Sequence, residues 1–210
     1  MTKPSSALVE PIRCAWASGG DELYARYHDE EWGVPKADSQ ALFEKMVLEG
    51  FQSGLSWITI LRKRENFRRA FHDFDPARIA NYGDKDFARL MADAGIVRNR
   101  LKIEATINNA RAYNELSKHR SFAEFLWSFV PNGPIGNGIT AMSEIQASTD
   151  LSKKISKALK AEGFRFVGPT TVYAFMQSVG MVNDHIVTCH RHAACEKLQR
   201  AFRPPRGKTA

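Results

Sequence analysis

The chain has 210 residues, 43% of them apolar and 25% charged, with a formal net charge of +7 and a pI near 9.4. That is long enough for a hydrophobic core and too apolar for a disordered chain, and no apolar run is long enough to cross a bilayer. Three cysteines, an odd number, argue against a disulfide framework and for thiols or metal ligands in a reducing compartment. The opening MTKPSSALVE has neither the basic start nor the apolar stretch of a signal peptide, so the expected location is the cytoplasm.

In chain order the pattern is helical nearly throughout. SQALFEKMVLEG (39–50) starts at a candidate cap, Ser39, sets Leu42, Phe43, Met46 and Val47 on one stripe, and is expected to stop at Gly50. WITILRKRENFRRAF (57–71) repeats the period. FDPARIANY offers Asp75 as a cap with Pro76 at the first helical position. DKDFARLMADAG is expected to run to Gly95. LKIEATINNARAYNEL, SFAEFLWSF, LSKKISKALKAEG and TTVYAFMQSVG follow, the last two ending at Gly163 and Gly180, and DHIVTCHRHAACEKLQRAF is expected as the final helix. PNGPIGNGIT (131–140) reads as a surface loop, no segment alternates as a strand, and the expected fold class is all-α.

Charge is clustered. RKRENFRR (62–69) holds five basic residues around one acid, RNRLK (98–102) adds three, and the end of the chain carries Arg203, Arg206 and Lys208. Such placement favours a polyanionic partner, nucleic acid foremost.

His185 and Cys189 lie four residues apart, one face of the expected helix. Cys14 and His28 near the other end complete a two-Cys, two-His set suited to tetrahedral zinc, and four protein ligands make such a site structural. His190, His192 and Cys195 crowd the same region as alternative ligands.

Glu49 falls about 20° from Leu42 at ~100° per residue, on the edge of the apolar stripe. A carboxylate there ordinarily turns to solvent; its functional reading is an acid half-buried in a pocket. GFQSGLSW (50–57) then places Gly54 and Leu55 in a turn, a candidate wedge for a base stack, and delivers Trp57. Trp16, Tyr24, Tyr27 and Trp32 read as core aromatics or as a stacking surface for a flat heterocycle. GFRFVGPTTVYAFMQSVGMVNDH (163–185) reads as a helix end, a tight turn and a helix start, an arrangement that suits a phosphate, with Thr170 and Thr171 adding hydroxyls.

These residues together resemble the bacterial 3-methyladenine DNA glycosylases I of the helix–hairpin–helix glycosylase superfamily. The resemblance spans about residues 12–190 and is carried by RCAW, YHDEEWGVP, LFEKMVLEGFQSGLSWITILRKRENFRRAFHDFDP, AGIVRNRLKI, SKALKAEGFRFVGPTT and MVNDHIVTC. It implies two helical lobes around a cleft; the chain is expected to form one catalytic domain over 1–210, with a glycosylase core over 12–193 and a basic tail over 194–210 for which the family offers no counterpart. It implies one structural zinc per chain on Cys14, His28, His185 and Cys189, joining the N- and C-terminal segments.

The resemblance also implies an activity: hydrolytic excision of N3-methyladenine from alkylated double-stranded DNA by a monofunctional, monomeric enzyme, with free 3-methyladenine and an abasic site as products. Tyr27 and Glu49 would meet the adenine edge, and Glu49, the catalytic candidate, would act mainly through binding and electrostatics. Trp57 would stack on the base, with Trp16 and Tyr24 closing the pocket. Gly54 and Leu55 would fill the gap left by the flipped nucleotide, and the hairpin over Phe166–Thr171, with Gly168, Thr170 and Thr171, would hold the DNA backbone. In two places the chain calls for comment: Asn183, followed by Asp184, stands where many superfamily members carry a catalytic Asp, as it does in this family, and Phe166 stands where the commoner hairpin has its first Gly. Rival readings are a non-catalytic zinc-stapled DNA-binding module, a zinc hydrolase, and a glycosylase for another base such as 3-methylguanine.

Overall fold

The computed structural model describes residues 10–207, and Lys208 lies outside them. Ten α-helices carry the fold: α1 (Glu22–Glu30), α2 (Ser39–Gln52), α3 (Trp57–Ala70), α4 (Pro76–Ile79), α5 (Asp84–Ala92), α6 (Arg100–Ser117), α7 (Phe122–Trp127), α8 (Asp150–Ala161), α9 (Pro169–Ser178) and α10 (His190–Ala201). Inside the stretch read as a loop, β1 (Ile135–Gly136) makes a two-residue parallel pairing with β2 (Val182–Asn183), short enough to leave no alternating signature in the sequence.

The centre of the molecule is α2. It packs against α3, α6, α7 and α9, and every residue from Leu42 to Phe51 except Glu44 is buried. A helix buried on nearly all sides has no solvent edge. The stripe read from Leu42, Phe43, Met46 and Val47 is therefore real but too narrow, and Lys45 and Glu49 are enclosed with it. Phe51, Phe67, Phe71 and Phe74 continue this core as a run of ring contacts from α2 past the end of α3.

Helix ends follow local chemistry where it is strong. Asp75 caps α4 ahead of Pro76, as expected, accepting from the amides of Ala77 and Arg78. At α2 the cap is Asp38, not Ser39: the Asp38 carboxylate accepts from the Ala41 amide at 2.7 Å, and the Ser39 hydroxyl accepts instead from the amide of Ala123 in α7. α2 passes through Gly50, which lies buried against Phe166, and ends at Gln52. α5 ends at Ala92, short of Gly95, where Asp93 turns extended and its carboxylate takes the Gly95 amide at 2.7 Å.

The largest departure is at the end of the chain. The final helix begins at His190, so residues 184–189 form turns and His185 and Cys189 share no helical face. Cys189 is the cap of α10, its sulfur accepting from the Arg191 amide. α10 then continues to Ala201, and Gln199 donates to the carbonyls of Gly33 and Gly180, so the first part of the segment after 193 is packed against the body.

Gly180 closes α9 at φ +71°, and a Cβ there would lie 2.4 Å from the Pro35 nitrogen and 2.5 Å from the Val34 carbonyl carbon. Both are backbone atoms, so neither can swing away, and the left-handed conformation adds its own penalty. Gly180→Ala is expected to lower stability by about 3 kcal/mol or more, read as a shifted urea midpoint with unchanged slope.

Candidate functional site

A cavity of about 240 Å³ opens between α1, α2, α3 and α9, walled by Trp16, Tyr24, Tyr27, Trp32 and Trp57 together with Glu49, Gln52, Met142, Ile145, Ala174 and Gln177. The aromatics form one connected wall: Trp16 lies 4.8 Å from Tyr24 and 6.3 Å from Tyr27, and Tyr27 lies 5.4 Å from Trp57, between ring centroids. All five aromatic and acidic residues expected at a pocket are thus brought together. Glu49 is only 4% exposed yet lines the cavity. Burial raises its pKa above the ordinary carboxylate value, and the Lys45 ammonium 3.5 Å away draws it back toward ionisation. The indole N–H of Trp57 is buried without a partner.

Lys45, which the sequence analysis did not single out, stands beside the cavity-lining residues. It sits one turn before Glu49 on α2, is 7% exposed, donates to the Tyr27 hydroxyl at 2.7 Å, and lies 3.6 Å from the centroid of the Trp57 ring. The i,i+4 spacing from Glu49 was the available signal. Gln177 was also missed. It lines the cavity and donates to the Asp184 carboxylate at 2.7 Å. Asp184 is fully engaged, accepting also from Tyr173 and Asn137. Asn183 is buried, donates to the His192 carbonyl and accepts from the His185 amide. Neither Asn183 nor Asp184 reaches the cavity; Asp184 touches it only through Gln177.

Behind the aromatic wall, the side chains of Cys14, His28, His185 and Cys189 meet, all buried, with one ligand atom from each within 4.8 Å of the others. The sulfur–nitrogen separations are 3.7 Å (Cys14 Sγ to His185 Nδ1), 3.6 Å (Cys189 Sγ to His185 Nδ1) and 3.5 Å (Cys189 Sγ to His28 Nε2). A tetrahedral zinc with bonds of about 2.3 Å to sulfur and about 2.0 Å to nitrogen has S···N edges of about 3.6 Å, so the donor set fits that ion.

The outer contacts support the same reading. His28 Nδ1 donates to Asp29 at 2.7 Å and His185 Nε2 to the Trp32 carbonyl at 3.1 Å, which leaves the opposite ring nitrogens without protons and facing the sulfurs, with the Cys14 amide also 3.4 Å from His28 Nε2. Burial pushes the Asp29 pKa up, but the hydrogen bonds from Arg13 and His28 outweigh it and hold the carboxylate below its ordinary value. A hydrogen bond from the Cys14 thiol holds the Cys189 thiol below its usual range despite burial. His190, His192 and Cys195 stand outside the cluster, His190 engaging the Ile12 carbonyl and Asp29 and Cys195 the Trp32 carbonyl.

Facing outward beside the cavity, Gly54 adopts φ +80° and Leu55 is 40% exposed at the tip of the turn after α2. Lys102 fixes that turn from behind, donating to the carbonyls of Phe51 and Ser53 at 2.8 and 2.6 Å. α8 and α9 are joined by a tight turn in which Gly163 and Phe166 both have positive φ, Gly168 caps α9, and Thr170 is exposed. Phe166 at φ +55° explains why a glycine would suit that place. The basic run 62–69 is less free than its sequence suggests: Arg64 grips Glu31 with two bonds, Arg68 pairs with Glu44 and Glu65, and Arg62 pairs with Asp21.

A profile of the methyladenine glycosylase family matches residues 16–192. The chain belongs to the methyladenine glycosylase family. Within it, DNA-3-methyladenine glycosylase 1 of Escherichia coli (strain K12) is 54% identical over 178 residues, which cover 84% of this chain and 95% of that protein. A crystal structure of a 3-methyladenine DNA glycosylase I superposes with a TM-score of 0.84 at 51% identity, covering 86% of this chain and 100% of that one. A point variant of a 3-methyladenine DNA glycosylase I, solved in complex with 3-methyladenine, superposes with a TM-score of 0.82 at 38% identity, covering 86% and 97%. As a glycosylase of this family the chain is mostly helical, and among its described residues no helix is long and apolar enough to cross a membrane.

Proposed function

We propose that this DNA-3-methyladenine glycosylase flips N3-methyladenine out of alkylated double-stranded DNA into the aromatic cavity and hydrolyses its glycosidic bond, leaving an abasic site. The observation that carries the reading is the pairing of an aromatic cavity, holding one buried carboxylate, with an exposed leucine turn beside it, in a chain of this family. Leu55 fills the space vacated by the flipped nucleotide, with Gly54 allowing the turn. The α8–turn–α9 unit acts as a helix–hairpin–helix, its α9 amides and the hydroxyls of Thr170 and Thr171 meeting backbone phosphate beyond Gly168.

Methylation at N3 makes the base cationic and a good leaving group, so binding does much of the work. Trp57 stacks on the purine, Trp16 and Tyr24 close over it, and Tyr27 and Glu49 meet its edge. Unstacking costs a few kcal/mol, less for a damaged base, which helps discrimination. Glu49 acts by binding and electrostatics, tempered by the adjacent Lys45. Water takes the sugar carbon as the base departs. Among the described residues no lysine lines the cavity, which supports a monofunctional enzyme without an amine nucleophile.

Cys14, His28, His185 and Cys189 would hold one zinc ion, which supplies a structural cross-link. Four protein ligands leave no position for a reactive water, and none of the four lines the cavity, so a zinc-hydrolase reading finds no support. The purified monomer incubated with methylated DNA is expected to release 3-methyladenine and no 7-methylguanine, identified by chromatography of the free bases. DNA binding without base release would instead make it a binding module.

A further inference from the structure

Lys45 poses a problem of its own. An ammonium enclosed beside the base pocket is costly to desolvate, and it stands behind the wall, not on the cavity surface. It contacts the cavity-lining groups expected to read the base: Nζ lies 2.7 Å from the Tyr27 oxygen, 3.5 Å from Glu49 Oε1 and 3.6 Å from the Trp57 ring centroid. An ammonium has donors and no acceptor. The Tyr27 oxygen therefore accepts from Lys45, and the Tyr27 proton must point elsewhere. Tyr27 is 3% exposed, and its hydroxyl makes no other hydrogen bond among the described residues; the open space it borders is the cavity.

Resting on the glycosylase reading above, we propose that Lys45 is a specificity-determining residue: by donating to Tyr27 and pairing with Glu49 it fixes Tyr27 as a hydrogen-bond donor beside Glu49 as an acceptor, a pattern that selects methylated adenine over methylated guanine. The adenine edge presents an acceptor, N7, beside an amino donor, N6, and so complements a donor next to a carboxylate. The same guanine edge presents two acceptors, N7 and O6, and would turn one of them toward Glu49. Lys45 is a positioning residue, since it acts through the two groups that touch the base.

The arrangement also sets a pH dependence. Burial lowers the Lys45 pKa to about 8, against the pull of Glu49 and Glu31 upward, with Arg64 adding to the lowering. The other charges on its far side are mutually paired, Glu31 with Arg64 and Glu44 with Arg68, with Lys36 at the edge of that cleft. Burial holds the Tyr27 pKa well above its ordinary value, so the phenol stays neutral throughout. Below about pH 8 the ammonium can only donate. Above it the neutral amine can accept, the Tyr27 proton can turn back to Lys45, and the cavity loses its donor.

The test is the ratio of 3-methyladenine to 3-methylguanine released from methylated DNA. Both bases are N3-methylated purines, so at a fixed pH the change in ratio between wild type and variant reports hydrogen-bond direction. Lys45→Met is expected to lower the ratio about tenfold, the scale of one hydrogen bond, while Lys45→Arg keeps most of it. The wild-type ratio is expected to fall as the pH rises through about 8, relative to Lys45→Met, which lacks this break. Should Lys45→Met fail to fold, Lys45→Arg serves as the control: its guanidinium stays charged, so it is expected to lack the break that the wild type shows. Release of 3-methyladenine with a ratio insensitive to both substitution and pH would overturn the role of Lys45 only. Release of neither base by the wild type would overturn the glycosylase reading and this inference with it.

Discussion

Replacing Cys189 or His28 with alanine is expected to abolish zinc binding and lower the melting temperature by about 8–16 °C. That range follows from a loss of about 4 kcal/mol at about 2–4 °C per kcal/mol for a chain of this size. The metal would join residues 161 and 171 positions apart, tying the segment ahead of α1 to the turn that leads into α10. Without it, the three remaining ligand side chains stay buried with unmet polar atoms, and the segment around Cys14 loses its anchor to the body. Metal content by atomic emission and melting curves with and without a chelator give the answer. A wild-type preparation that contains no metal and melts at the same temperature after zinc addition would remove the metal from the account. Replacement of zinc by cobalt is expected to leave base release intact, because the centre does not border the cavity.

Glu49→Gln is expected to lower kcat/KM for 3-methyladenine release about 10- to 100-fold, since a hydrogen bond to a charged group is worth about 1.5–3 kcal/mol. The substitution also leaves the Lys45 ammonium buried opposite a neutral amide, so a fall in stability should accompany it. Lys45→Met in the same chain removes that unpaired charge, and the double variant is expected to recover stability without recovering activity. This separates the two roles of the pair. Trp57→Ala is expected to cost about 1–3 kcal/mol of base stacking and to act mainly on KM. Full activity and selectivity in Glu49→Gln would end the carboxylate's part in recognition.

Much of the site was legible before the fold. Residue type made Cys14, His28, His185 and Cys189 candidates but left His190, His192 and Cys195 as alternatives; the resemblance to the family singled out the four, and the structure gathers that set. His185 and Cys189 converge through the turns of residues 184–189, not along the helix that their spacing suggests. An i,i+4 spacing is compatible with both geometries, and only the path of the backbone distinguishes them. The pocket aromatics were legible as a cluster, while their choice between core and cavity was not. Trp16, Tyr24 and Trp57 serve both, packing on a buried cluster that includes Cys14 and Cys189 while lining the cavity.

By itself the sequence determined what short-range chemistry controls: the all-helical class through periodicity, the Asp75–Pro76 start, the glycine ends at Gly163 and Gly180, and the residue types available for a metal and a pocket. Tertiary structure decided burial and pairing. The arrival of α3, α6, α7 and α9 around α2 turned a surface-edge glutamate into a buried acid and enclosed Lys45 with it. The closing of α3 on Glu31 and Glu44 occupied two arginines of a run that reads as free positive charge. Periodicity and capping act over a few residues, whereas desolvation depends on every element that comes within contact, wherever it lies in the chain.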